Sequence, residues 1–141
     1  MKKACYSIDY GDAYMKAQSA IIAADDLLLL GLLNSTLFDY IMHSISSTKQ
    51  GGYVEHKPVY VSQLPIPVLD LTNKKEREQH ERMVWLVQQR MELQSKFDGA
   101  ISENDRERYD RSITRAERDI NRLVYELYEL TEEEIAIVDP S

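Results

Sequence analysis

Residues 103–130 read ENDRERYDRSITRAERDINRLVYELYEL. Within them Tyr109, Ile113, Ala116, Ile120, Leu123, Leu127 and Leu130 recur at alternating steps of four and three. That is a heptad seam, the pattern of a helix packed along one partner. It predicts a helix from near Glu103 to about Leu130. Upstream, Lys74–Phe97 contains neither Gly nor Pro, and Asp98-Gly99 breaks it. Met83, Leu86, Leu93 and Phe97 give this earlier helix a ragged match to the seam, with Arg90 interrupting. Two helices joined by a short break fold back most simply as an antiparallel hairpin. Val84, Val87 and Met91 form a second apolar face on the first helix, and Trp85 lies outside both. That second face needs a cover, either the N-terminal half or another chain. The seam itself has three candidate partners: its own hairpin, a further domain, or a second copy.

The C-terminal TEEEIAIVDPS carries Thr131 followed three residues later by Glu134, a capping box. It predicts a short, redirected helix from Glu132 that Pro140 ends.

Toward the N-terminus, Asp25 and Asp26 precede LLLLGLLNSTLFDYIMHSIS. An acidic residue before an apolar run is a helix N-cap signal. Leu30, Leu33, Leu37 and Ile41 keep helical spacing, so one helix is expected to about Ser46. Gly31 in its interior costs about 1 kcal/mol relative to Ala; close approach of another backbone would be sufficient reason for it. Asn34, a polar residue in an apolar helix, is expected to satisfy a nearby backbone group. Ala4–Asp9 and Ala13–Ala23 around Tyr10-Gly11-Asp12 suggest a β-hairpin, although the alanine-rich Met15–Ala24 also suits a helix. Tyr53–Val54 and Val59–Val61 look like short extended pieces. Pro58, Pro65 and Pro67 bias the residues before them away from the helical region. The expected fold is therefore α+β, mostly α. A small N-terminal β-containing part, residues 1–69, precedes a long antiparallel helical hairpin with a short capped helix, residues 70–141.

Composition bounds the function. A length of 141 residues suits one domain of ordinary size. The net charge of −7 runs against the simplest expectation for a nucleic-acid binder. Residues 1–69 carry five lysines against six acids, and residues 70–141 carry twelve Lys plus Arg against eighteen acids, so the acidity belongs to the C-terminal half. Cys5 is alone, so no internal disulfide forms, and a cytoplasmic setting fits. The longest apolar run, Leu27–Leu33, is far below the ~20 residues that span a membrane. His43, His56 and His80 show no metal-ligand spacing. Gly51-Gly52 lacks the lysine and helix of a phosphate loop. No catalytic residue and no metal site is expected.

The segment GGYVEHKPVYVSQLPIP, residues 51–67, is distinctive. With the residues just before it, it offers Lys49, Gln50, Tyr53, His56 and Lys57, groups able to contact phosphates and base edges. Its Gln63–Pro67 end is a stiff extended linker into the hairpin.

Four blocks in order carry a resemblance: Leu32-Leu33-Asn34-Ser35-Thr36-Leu37-Phe38, Gly51-Gly52-Tyr53, Gln63-Leu64-Pro65-Ile66-Pro67, and Leu123-Val124-Tyr125-Glu126-Leu127-Tyr128 before Leu130-Thr131-Glu132-Glu133-Glu134-Ile135. Over roughly residues 20–138 the chain resembles the TaqI-like C-terminal target-recognition region of adenine-specific DNA methyltransferases, including fused restriction–modification enzymes. The resemblance implies a bacterial DNA-recognition fragment whose partners are double-stranded DNA and an upstream methyltransferase domain. S-adenosylmethionine would bind that other domain, and none of the four Asn residues here precedes a proline as the family's adenine-holding motif requires. No cofactor is expected in this chain. Lys49 and Lys57 would meet phosphates, with Gln50, Tyr53 and His56 nearer bases. One departure is Glu129, where the family often has Gly; it suggests that the long helix continues or bends gently. The other reading is a helical interaction module, a homodimer through the hairpin face at Val84, Val87 and Met91, with no DNA role in isolation.

Overall fold

The computed structural model describes residues 26–45 and 62–140. Every regular element among them is an α-helix: α1 Leu27–Leu33, α2 Thr36–Ile45, α3 Lys74–Gly99, α4 Glu103–Leu127 and α5 Glu132–Val138. The α+β expectation is corrected accordingly. The part of residues 1–69 that is described folds as two helices and an irregular segment, with no strand. The pieces read as extended, at 4–23, 53–54 and 59–61, lie outside the described residues.

The hairpin forms from α3 and α4. Ile113, Ala116, Ile120 and Leu123 of the seam are buried, and Met83 and Leu86 of α3 share one buried cluster with Ile120 and Leu123. Arg90 breaks the seam without leaving it. Its guanidinium reaches Glu117 on α4 at 3.0 Å and donates to Gln94 Oε1 at 2.9 Å. At the tip, Ala100 N–H bonds Phe97 O, Ser102 caps α4, and Arg106 lies over the Phe97 ring while donating to Ala100 O.

The apolar stretch 27–45 is two helices, not the single one expected. They are bent by 62° at Asn34-Ser35. Asn34 caps α1 and its side-chain amide donates to Leu30 O at 3.2 Å, the local backbone satisfaction expected of it. Ser35 is buried; its hydroxyl donates to Leu32 O at 2.6 Å and accepts from Phe38 N at 3.3 Å. One side chain thus closes the first helix and opens the second. Asn121 of α4 completes the corner, its Oδ1 accepting Thr36 N–H at 2.9 Å.

α1 lies on α3 and covers the second face at Val87. A Cβ on Gly31 would stand 2.7 Å from Met83 Sδ and 2.9 Å from Val87 Cγ2. Gly31 is therefore required by a close approach, to α3 side chains rather than to backbone. Leu28, Leu32, Phe38 and Met42 join Met83, Leu86, Val87, Leu123, Val124 and Tyr125 in one core.

α4 ends differently from expectation. Glu129 adopts φ 53°, Leu130 N–H bonds Tyr125 O at 3.0 Å, and Glu129 N–H bonds Glu126 O at 3.1 Å. These are the two bonds of a Schellman motif, with Glu in the left-handed position usually held by Gly. Leu130 tucks against the core and the chain turns into α5. There Thr131 and Glu134 form the expected capping box. The Thr131 backbone N–H, donating to Glu134 Oε1 at 3.0 Å, and the Thr131 hydroxyl hold the Glu134 carboxyl below its usual range.

Candidate functional site

Lys49, Gln50, Tyr53, His56 and Lys57, the residues expected to meet DNA, all lie outside the described residues. The structure does describe what flanks them. α2 leads into residue 46 through Met42, which is buried, and Ile45, which packs against the core. The chain re-enters at Ser62, and Leu64 is buried in that same core. Pro65 sits at the centre of a tight turn in which Ile66 N–H bonds Leu64 O at 3.0 Å. Its fixed φ suits such a three-residue turn. The Tyr128 hydroxyl donates to Pro65 O, and the Tyr128 ring meets Phe38 edge-on at 5.9 Å between centroids. Burial pushes the Tyr128 phenol up to about 12.

Three of the four sequence blocks that carry the family resemblance thereby meet at one junction. Ser35, Thr36 and Phe38 come from the first, Leu64 and Pro65 from the third, and Tyr125 and Tyr128 from the fourth. Asn121, which no sequence pattern singled out, ties the first block to α4. Burial also pushes the Tyr125 phenol up, the Asp139 carboxylate adding to this and the Thr36 side chain opposing it. The junction holds apolar side chains, two phenols and backbone-directed amides. Through these contacts it joins the two flanks of residues 46–61, α2 and the turn at Leu64–Ile66, to the end of α4.

Beyond the junction, the chain runs to α3 through a capped turn. Asp70 Oδ1 accepts from the Thr72 hydroxyl at 2.6 Å and from Thr72 N at 3.0 Å, which holds its carboxyl below the usual range. Asn73 caps α3 by accepting from Glu76 N. On α2, His43 Nδ1 lies 2.7 Å from Asp39 O and 3.8 Å from Asp39 Oδ2. Among the described residues no group of three His, Cys, Asp or Glu could hold a metal ion.

No family model, curated protein or solved structure matches the chain.

The residues of the second apolar face are separated by the fold. Val87 is 4% exposed beneath α1, Val84 is half-buried, and Met91, one turn beyond Val87, is 37% exposed. Trp85 stands apart from both faces, as its position in the pattern implied, and is 55% exposed. Among the described residues no single helix is long and apolar enough to cross a membrane. The bent pair α1–α2, apolar enough in composition, is packed into the core.

Proposed function

We propose that the chain is the DNA sequence-recognition fragment of an adenine-N6 DNA methyltransferase or restriction–modification enzyme. In this reading the S-adenosylmethionine-binding catalytic domain lies outside the chain, and the site of action is the cytoplasm. The observation that carries the reading is the junction. Residues distant in sequence, and belonging to the blocks that resemble the recognition region, fasten both ends of the segment containing Lys49, Gln50, Tyr53, His56 and Lys57. A recognition loop needs such a frame, because base contacts require the loop's two exits to be fixed relative to each other.

The experiment is a salt titration of duplex binding by the chain and by its Lys49→Ala/Lys57→Ala variant. Each phosphate contact removed should flatten the slope of log affinity against log salt by about 0.9. A slope and affinity unchanged by the double substitution would remove the loop from the DNA interface.

Exposed Trp85 and Met91 favour the second reading, a helical interaction module. Val87 is a core residue, so Met91→Glu and Trp85→Lys are the appropriate tests. A dimer seen in sedimentation and lost in these variants supports assembly through α3; a monomer at all concentrations opposes it.

A further inference from the structure

α4 carries six arginines and no lysine. Five of them, Arg108, Arg111, Arg115, Arg118 and Arg122, recur at steps of three and four. They therefore share one helix face, opposite buried Ile113, Ala116 and Ile120. All five are exposed. Fourteen residues separate the first from the last, a row about 21 Å long at ~1.5 Å per residue. The end members are paired within the helix, Arg108 with Asp105 at 3.3 Å and Arg122 with Asp119 at 4.0 Å. Glu117, the carboxylate next to Arg118 in sequence, is turned to the other side of the helix and held by Arg90. The three central arginines have no ion pair among the described residues. Together with Thr114 and Asp110, they line a shallow open groove of about 260 Å³.

We infer that this arginine row is a nucleic-acid contact surface that follows a phosphate backbone. In a chain with net charge −7 and acids throughout α4, three unpaired guanidiniums in line are an unspent binding capacity. Arginine alone, without lysine, suits bidentate contact to an oxyanion. Each DNA strand presents one negative charge per ~3.4 Å of axis. A straight row of cations meets phosphates there in any register. A protein partner would have to supply carboxylates in matched register. The inference rests on the proposed function for the identity of the nucleic acid as DNA, but it shares no residue with the loop that reading invokes. The row would add sequence-independent affinity beside a loop whose own charge is modest.

The test is fluorescence anisotropy of a labelled, mixed-sequence DNA duplex titrated with the full chain at several salt concentrations. The variant is Arg111→Gln/Arg115→Gln/Arg118→Gln, with helicity and melting checked by circular dichroism. Arg77→Gln/Arg82→Gln on α3 is the charge control. The slope of log affinity against log salt should flatten by about 2.7 in the triple variant, at ~0.9 per phosphate contact, and much less in the control. The triple variant's affinity should therefore fall about 40-fold less than the wild type's between 50 and 200 mM salt. A folded triple variant with the wild-type slope overturns the inference, as does a wild-type chain with no duplex affinity at low salt. A wild-type dimer that the triple variant dissociates, with DNA binding unmoved, overturns it in favour of an acidic protein partner. Run in parallel, the Lys49→Ala/Lys57→Ala variant separates the two ideas. If it alone flattens the slope, the loop stands and the row fails; if only the triple variant does, the reverse holds.

Discussion

Gly31→Ala puts two opposed effects in one position. In an exposed helix interior the change should stabilise by about 1 kcal/mol, because Ala restricts the unfolded chain and suits the helix. Here the new methyl would lie 2.7 Å from Met83 Sδ and 2.9 Å from Val87 Cγ2, both inside ordinary van der Waals contact. Met83 is wholly buried, so although its side chain is flexible it has little free volume to enter. Val87 is β-branched and stiff at χ1, so its methyl moves only if α3 moves. Overpacking of this kind costs about 1–3 kcal/mol. The clash therefore offsets or outweighs the helix gain, and the expected net effect is a loss of up to about 2 kcal/mol.

Urea unfolding followed by circular dichroism measures this as a lower midpoint at unchanged m-value. The cause is then isolated by Val87→Ala. Alone it leaves a cavity; combined with Gly31→Ala, the added methyl fills part of that space. The double variant should be more stable than the sum of the singles by about 0.5–3 kcal/mol, the range for residues in contact. A Gly31→Ala variant stabilised as an exposed helix would be, or singles that simply add, refutes the close packing of α1 on α3.

Three further outcomes follow from the same geometry. Glu129→Gly should stabilise by about 0.5–1 kcal/mol in urea unfolding, since Gly relieves the left-handed φ and returns part of that gain as unfolded-state entropy. Asn121→Ala should cost about 1–2 kcal/mol by leaving the Thr36 N–H without its acceptor, whereas Asn121→Asp, which keeps an acceptor at the positive end of α2, should recover most of it in thermal melting. Tyr128→Phe should lower stability by about 1 kcal/mol near neutral pH and weaken the alkaline dependence. The folded phenol ionises near 12 and the unfolded one near 10, so its contribution is whole below about pH 10 and is lost as pH rises toward 12; denaturant midpoints across that window read it.

The hairpin was legible in the sequence because its cause is periodic. Seven residues from Tyr109 to Leu130 at steps of four and three leave little choice of face, and the burial of Ile113, Ala116, Ile120 and Leu123 follows. The Thr131–Glu134 box was legible because both partners lie within one turn. The corner at Asn34-Ser35 was not, because Leu30, Leu33, Leu37 and Ile41 keep helical spacing across it. Its causes are a serine hydroxyl bonding three residues back and an amide 85 residues away in sequence. Arg90 looked like an interruption because Glu117 answers it only once the hairpin has closed. Glu129 was read as favouring continuation because its side chain disfavours left-handed backbone. The two Schellman bonds and the burial of Leu130 outweigh that preference. The strands expected in the first 69 residues rest on local β-propensity, which carries no information on packing, and lie outside the described residues; the described stretch 27–45 follows its helical spacing.

The arginine row is hidden in the charge count for a related reason. Counting charge over α4 sets six arginines against seven acids and returns a net of −1. Helical phase separates what the sum mixes. Glu117 turns toward α3, Asp105 and Asp119 hold the row's ends, and Arg111, Arg115 and Arg118 are left facing solvent together. The junction and the row thus divide the described molecule into a side that clamps residues 46–61 and a helix face that offers unpaired cations. Nothing in the clamp is cationic. Its bonds run to backbone atoms of Thr36 and Pro65, so it holds the flanks of residues 46–61 through the main chain. A frame of that kind tolerates any loop sequence that respects its exits. On the proposed function, residues that resemble a recognition region can therefore be structural, while the specificity would reside in the segment they enclose.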